Sequence, residues 1–152
     1  MSRQHWLMKS EPTKYSFAQL VRDGRTMWDG VRNFEARNFM RAMKAGDLVL
    51  FYHSNEGKSV VGIAKVARDA YPDPTGEGED WSAIDIEPVA PFKVPVSLDT
   101  IRSDPSLADI ALLTRARLSV VPLTEPQFAR ILELGKTKLS RRKRPAAAKP
   151  SA

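Results

Sequence analysis

Apolar and polar positions alternate along the chain in short stretches, some with a period of two and some near 3.6, and the changes of period mark out the elements. Trp6 to Ser10 reads as a first strand, stopped at Glu11-Pro12 because proline cannot donate to a ladder. Ser16 and Gln19 stand at capping-box spacing and Gly24 where a C′ glycine belongs, which predicts a short helix between them. Met27-Trp28-Asp29-Gly30 reads as strand end and turn. Asn33 then suits an N-cap for a second helix running to Lys44 and closing at Gly46. Ala36, Met40 and Met43 recur at helical spacing with Phe39 beside them, so that face packs inward.

Asp47 to Ser54 and Val60 to Arg68 are rich in β-branched and aromatic residues, and Asn55-Glu56-Gly57-Lys58 between them is hairpin chemistry. Ala83 to Val89 alternates as a strand does, and Leu118 to Leu123 gives one more. Thr124 with Gln127 repeats the capping-box spacing for a last helix ending at Gly135. No unit repeats, and hairpins outnumber strand-helix-strand crossovers. The pattern predicts an α+β fold: a mixed, mostly antiparallel curved sheet or small barrel of five to six strands with flanking helices, not a doubly wound sheet.

Composition narrows the function classes. A chain of 152 residues can bury roughly two-thirds of its unfolded surface, enough for one core. The longest apolar run, Leu48 to Tyr52, is five residues against the roughly 20 that a spanning helix needs. Met1 to Pro12 carries Arg3, Lys9 and Glu11 and does not read as a signal peptide, so the expected location is the cytoplasm, or the nucleus in a eukaryotic host. With no cysteine there is no disulfide framework, thiolate zinc site or cysteine nucleophile. His5 and His53 are the only histidines and belong to no HExxH pattern, and no GxxxxGK[ST], GxGxxG or GxSxG motif is present. Neither a metal nor a cofactor is expected.

Charge is unevenly placed. The net charge is +6, but seven basic residues and no acidic ones lie from Lys136 onward, which leaves residues 1–135 at −1. The expected division is a folded domain over 1–135 and a disordered basic tail over 136–152, whose Arg141, Arg142, Lys143 and Arg144 could serve as a phosphate-binding run or as a solubilising end.

Three segments gather polar and aromatic residues at the ends of apolar strands: Lys9-Ser10-Glu11-Pro12, Trp28-Asp29-Gly30-Val31-Arg32-Asn33 and Tyr52-His53-Ser54-Asn55, with Trp81 a lone fourth. Strand ends are where a rigid scaffold presents binding groups. For a base-sized ligand the mixture makes sense, since indole faces stack on a ring while Asn, Ser and backbone groups meet its polar edge. Each residue also has a structural role open to it: Trp28 as a core anchor, Asn33 as a helix cap, Arg32 as the partner of a carboxylate, His53 as a hydrogen-bonded strand residue. Strand alternation points Tyr52 and Ser54 to one face and His53 to the other, so all three share a pocket only if the strand bends.

The run Trp6-Leu7-Met8-Lys9-Ser10-Glu11-Pro12, then Trp28 to Asn33 with Ala36-Arg37-Asn38, Gly46-Asp47 leading into Phe51-Tyr52-His53-Ser54, and Val61-Gly62-Ile63-Ala64 before Tyr71-Pro72-Asp73-Pro74-Thr75 together resemble the EVE domain family over nearly all of residues 5–134. The resemblance implies a PUA-like fold related to the YTH readers of methylated adenine. It further implies a protein that binds DNA or RNA and takes a modified base, 5-methylcytosine or a relative, into an aromatic pocket; apart from the resemblance, a monomer independent of membranes is expected. Carried over residue by residue, the pocket candidates are Ser10, Trp28, Asn33, His53 and Ser54, with Lys9, Glu11, Arg32 and Trp81 at the rim. Two rivals stand beside this non-catalytic reader. One is a small amidohydrolase of the PUA-like ASCH type acting on modified nucleosides, with Lys9 and Glu11 as nucleophile or base and partner. The other is a protein-interaction module with a plugged pocket.

Overall fold

The computed structural model describes residues 4–76 and 81–139. Its elements run β1 (His5–Ser10), α1 (Phe17–Asp23), β2 (Thr26–Trp28), α2 (Phe34–Ala42), β3 (Leu48–His53), β4 (Ser59–Pro72), β5 (Ser82–Ser97), α3 (Leu98–Ser103), a 3-10 turn at Pro105–Leu107, α4 (Ala111–Thr114), β6 (Val120–Leu123) and α5 (Glu125–Leu134). Six strands form one sheet in the order β2-β5-β4-β3-β1-β6, antiparallel except for the β1–β3 pair. The fold is α+β as expected. The sheet does not close into a barrel: β2 and β6 are its two edges.

Local chemistry explains where the helices start. Ser16 and Gln19 form a reciprocal capping box on α1, and Gly24 ends it in the left-handed region at φ 78°. Asn33 caps α2 by accepting from the Ala36 N–H at 2.9 Å. Thr124 and Gln127 form a second capping box on α5. The helix α2 stops at Ala42, short of the expected Lys44, because Met43 is extended and turns inward to full burial.

Helices cover both faces of the sheet, which is why β3 is apolar at every position from Leu48 to Tyr52. Leu7, Leu48, Leu50, Tyr52 and Ile63 face a core shared with α3, α4 and α5. Trp6, Met8, Val49, Phe51 and Ala64 face the opposite core with α1 and α2. The strand expected over Ala83–Val89 runs on to Ser97 through Pro88, Pro91 and Pro95. These prolines are tolerated because β2 pairs only with Ile84–Ile86, leaving the far edge of β5 open beyond, and because the β4–β5 register is broken by irregularities.

The packed chain continues past Gly135. Thr137 is buried, its Oγ1 accepts from the Lys93 N–H at 2.9 Å, and Leu139 packs on the core. The tail residues Arg141, Arg142, Lys143 and Arg144 lie outside the described residues. No helix among the described residues is long and apolar enough to cross a membrane.

Candidate functional site

Parallel pairing of β1 with β3 brings two strand ends together, setting Ser10 opposite His53. The Ser54 N–H donates to the Ser10 carbonyl at 2.9 Å and fixes that corner. Beside it, β2 and the segment that follows wrap round a cleft of about 480 Å³, a size usual for small-molecule sites. Its walls are Lys9, Ser10 and Glu11 from the end of β1, Lys14 and Tyr15, the continuous run Thr26 to Asn33, and Ser119. Six of the nine expected pocket and rim residues therefore meet at one cleft: Ser10, Trp28, Asn33, Lys9, Glu11 and Arg32.

The other three are elsewhere. His53 lies on the Phe51 face of β3, its ring edge-on to Phe51, and its Nε2 accepts from the Phe17 N–H at 3.1 Å. Burial lowers its pKa, which keeps the acceptor neutral. Ser54 lines a smaller recess of about 220 Å³ with Tyr52, Lys58 and Arg102, on the side of the other core. The strand does not bend enough to bring Tyr52 or Ser54 round to the Trp28 cleft, so the alternation rule prevails. Trp81 is buried at 8% exposure beneath the Phe34 ring, 5.0 Å away and 13° from parallel, and forms no part of the cleft wall.

Within the cleft the polar groups are partly committed. Trp28 is half-buried, anchored edge-on to Phe51 at 5.7 Å, so it is both a core contact and a wall. The Asn33 Oδ1 is spent on the helix cap, whereas its amide N–H₂ has no hydrogen bond among the described residues. Ser10 Oγ donates to the Tyr15 carbonyl at 2.6 Å and so offers the cleft lone pairs and no proton. Lys9 is half-buried, burial lowers its pKa, and its Nζ donates to the Ala116 carbonyl at 2.8 Å. Glu11 faces Lys14 at 4.0 Å, and no ion pair with Lys9 is described.

A residue without an assigned role in the sequence holds this wall in place. Asp73 Oδ2 accepts from the Gly30 N–H at 2.8 Å and from Arg32 Nη1 at 3.0 Å, while Oδ1 accepts from the Thr75 N–H and hydroxyl at 2.7 and 2.6 Å. Its carboxylate is fully buried. Burial alone would raise its pKa, but the bonds from Thr75, Gly30 and Arg32 outweigh burial and bring it down to about 2. Gly30 takes φ 80°, a conformation that L side chains rarely adopt, and this turns the chain so that its N–H reaches Asp73. Asp73-Pro74-Thr75 is visible in sequence as a side-chain turn, but its reach across 43 residues to Gly30 is not.

A larger depression of about 1240 Å³ between β5 and α5 has no aromatic residue in its lining. Flat-ring recognition therefore favours the Trp28 cleft despite its smaller volume. Among the described residues no group of three His, Asp or Glu is placed to hold a metal ion.

A six-stranded mixed sheet with helices on both faces and a cleft at the ends of β1 and β2 is the arrangement of a PUA-like domain. The chain belongs to the EVE domain family, whose model matches residues 4–134. It is 37% identical over 164 residues to human thymocyte nuclear protein 1, an alignment covering 86% of this chain and 73% of that protein. A crystal structure from Agrobacterium tumefaciens superposes with a TM-score of 0.86 at 44% identity, covering 88% of this chain and 94% of the other. The human THYN1 protein in complex with 5-methylcytosine-containing DNA superposes at 0.82 with 35% identity, covering 89% and 99%. A YTH domain from Zygosaccharomyces rouxii, in complex with N6-methyladenosine RNA, gives 0.57 at 16% identity and shares the fold alone.

Proposed function

We propose that this protein reads modified bases in nucleic acid without catalysing a reaction, taking a 5-methylcytosine-like pyrimidine into the Trp28 cleft. The observation that carries the reading is the pairing of free groups there: an indole wall, an Asn33 N–H₂ free to donate, and Ser10 oxygen lone pairs free to accept. Cytosine presents one exocyclic amine donor beside N3 and O2 acceptors, which one donor and one acceptor on the protein complement. Thymine exchanges these groups, O4 replacing the amine and N3–H replacing the N3 acceptor, so it would meet the Asn33 donor and the Ser10 acceptor only in a different register. The relationship to the human protein crystallised with 5-methylcytosine DNA supports the same choice.

The magnitudes set what discrimination to expect. A methyl group entering an apolar slot, here beside Val31 or Met27, adds about 0.8 kcal/mol, a preference of roughly fourfold. Stacking on Trp28 is worth about 1–3 kcal/mol, close to the few kcal/mol needed to extrude a base from a duplex, so single strands bind better than duplexes. Phosphate contacts, with Lys14 and Arg32 at the cleft and the 141–144 basic run as candidates, supply the remaining affinity. The hydrolase alternative gains no support, since the Lys9 ammonium is held by a carbonyl and not by Glu11.

Titrating single-stranded oligonucleotides with one 5-methylcytosine or one cytosine tests the reading. Wild type is expected to favour the methylated strand roughly fourfold, and Trp28→Ala to weaken both by about 5- to 150-fold. Equal binding by the two proteins removes the indole cleft from recognition.

A further inference from the structure

One large aromatic beside the cleft faces solvent. Phe34, the first residue of α2, is 54% exposed. Its inner face is taken by Trp81, nearly parallel at 5.0 Å, and that indole is itself buried, so the pair is a rigid stack with one free end. Two guanidinium groups flank it. Arg37 lies 5.0 Å from the Phe34 centroid and 5.8 Å from the Trp81 centroid. Being almost equally far from two rings that are 5.0 Å apart, it stands at the side of the stack and leaves the outer face of Phe34 open. Arg32 stands 5.5 Å from the Trp81 centroid. Arg32 and Asn33 also line the cleft, so stack and cleft are successive along the backbone, with neighbouring Cα atoms about 3.8 Å apart.

We propose that the outer face of Phe34 is a second base-binding site, a platform on which the nucleotide adjacent to the one in the cleft stacks. The inference rests on the reading that a base occupies the cleft. A flat, exposed aromatic ring one residue beyond the cleft wall matches a nucleobase, because the base meets its π-face; the guanidinium groups beside it are already engaged, Arg32 with Asp73 and Arg37 with Asn38, so the ring and not their charge carries the contact. Every base has a π-face, so this contact is indifferent to sequence and adds affinity without altering which base enters the cleft. It also makes a dinucleotide the smallest full ligand.

The test uses the full chain and a single-stranded oligonucleotide with one central 5-methylcytosine, followed by fluorescence anisotropy. Two further oligonucleotides carry an abasic site immediately 5′ or 3′ of that base. Phe34→Leu keeps an apolar cover over Trp81 but removes the ring; Phe34→Tyr keeps the ring. The expected result is about tenfold weaker binding of the intact strand by Phe34→Leu and none by Phe34→Tyr. One of the two abasic strands should bind wild type about tenfold more weakly and no longer distinguish it from Phe34→Leu. Affinity for free 5-methyldeoxycytidine should be the same in all three proteins. The abasic comparison is made on wild type and so decides whatever the stability of the variant. If Trp28→Ala loses binding while Phe34→Leu and both abasic strands behave as wild type and intact strand do, the platform alone is overturned. If wild type does not bind the methylated strand at all, the cleft reading and the platform fall together.

Discussion

Asp73→Asn probes the structural support of the cleft most directly. The native carboxylate accepts four hydrogen bonds, two at each oxygen. Asparagine has one acceptor oxygen, so the variant turns an N–H₂ either toward Gly30 and Arg32 or toward Thr75, donor against donor. Those native bonds bring the carboxyl pKa from 3.8 down to about 2 against the opposing effect of burial. At about 1.36 kcal/mol per unit this drop corresponds to about 2–3 kcal/mol of folding stability at neutral pH. The sign follows from a folded pKa below the unfolded one: the stabilisation is complete above pH 4 or so and is lost as pH falls toward 2. Urea denaturation followed by tryptophan fluorescence should place the variant about 2–3 kcal/mol below wild type at pH 7, roughly 10 °C in Tm. The gap should close between pH 4 and pH 2. Binding of the methylated strand should weaken as well, because Gly30 and Arg32 are cleft wall. A variant within about 0.5 kcal/mol of wild type at pH 7, or a gap that stays constant down to pH 2, would refute this account of the loop.

Other outcomes are expected. His53→Gln, which keeps an acceptor for the Phe17 N–H but cannot titrate, should abolish part of the stability loss that wild type shows as pH falls below about 6.5; identical pH profiles would argue against it. Gly62→Ala places a methyl group 2.6 Å from Phe17 ring carbons and should cost about 1–3 kcal/mol by chemical denaturation, so a neutral substitution would mean that ring moves aside freely. Deleting residues 140–152 removes five basic residues and should make the logarithmic salt dependence of oligonucleotide binding shallower while leaving the preference for the methylated base intact. Loss of that preference would put recognition in the tail.

What the sequence disclosed and what it withheld divide by distance along the chain. Caps at Ser16, Asn33 and Thr124 were readable because each is settled within three residues. So was the β3–β4 hairpin, whose turn needs positive φ at Asn55, Gly57 and Lys58. The parallel placement of β1 against β3 was not, since it depends on a crossover through α1, β2 and α2 that no local pattern encodes. The segment between β5 and β6 folds into two short helices and a 3-10 turn whose apolar spacing is too brief to register as a period. In the cleft, the run Trp28 to Asn33 stood out by composition. His53 and Ser54 stand outside the cleft for different reasons: strand alternation puts Ser54 on the opposite face with Tyr52, whereas His53, on the Phe51 face, is held by the Phe17 N–H. Asp73 and the Phe34–Trp81 stack were invisible, being contacts between residues more than 40 positions apart.

The first strand of this chain lies between the third and the last. A ribosome therefore delivers β1 long before its β6 neighbour exists, and one hydrogen-bonding edge of β1 waits until residues 120–123 have emerged. Ser119 lines the same cleft as Ser10, its carbonyl accepting from the Lys9 N–H at 2.9 Å, so the cleft wall is complete only at that final step. A chain released early would carry the indole and the helix cap without a finished cleft wall, so the shape of that cleft depends on completed synthesis.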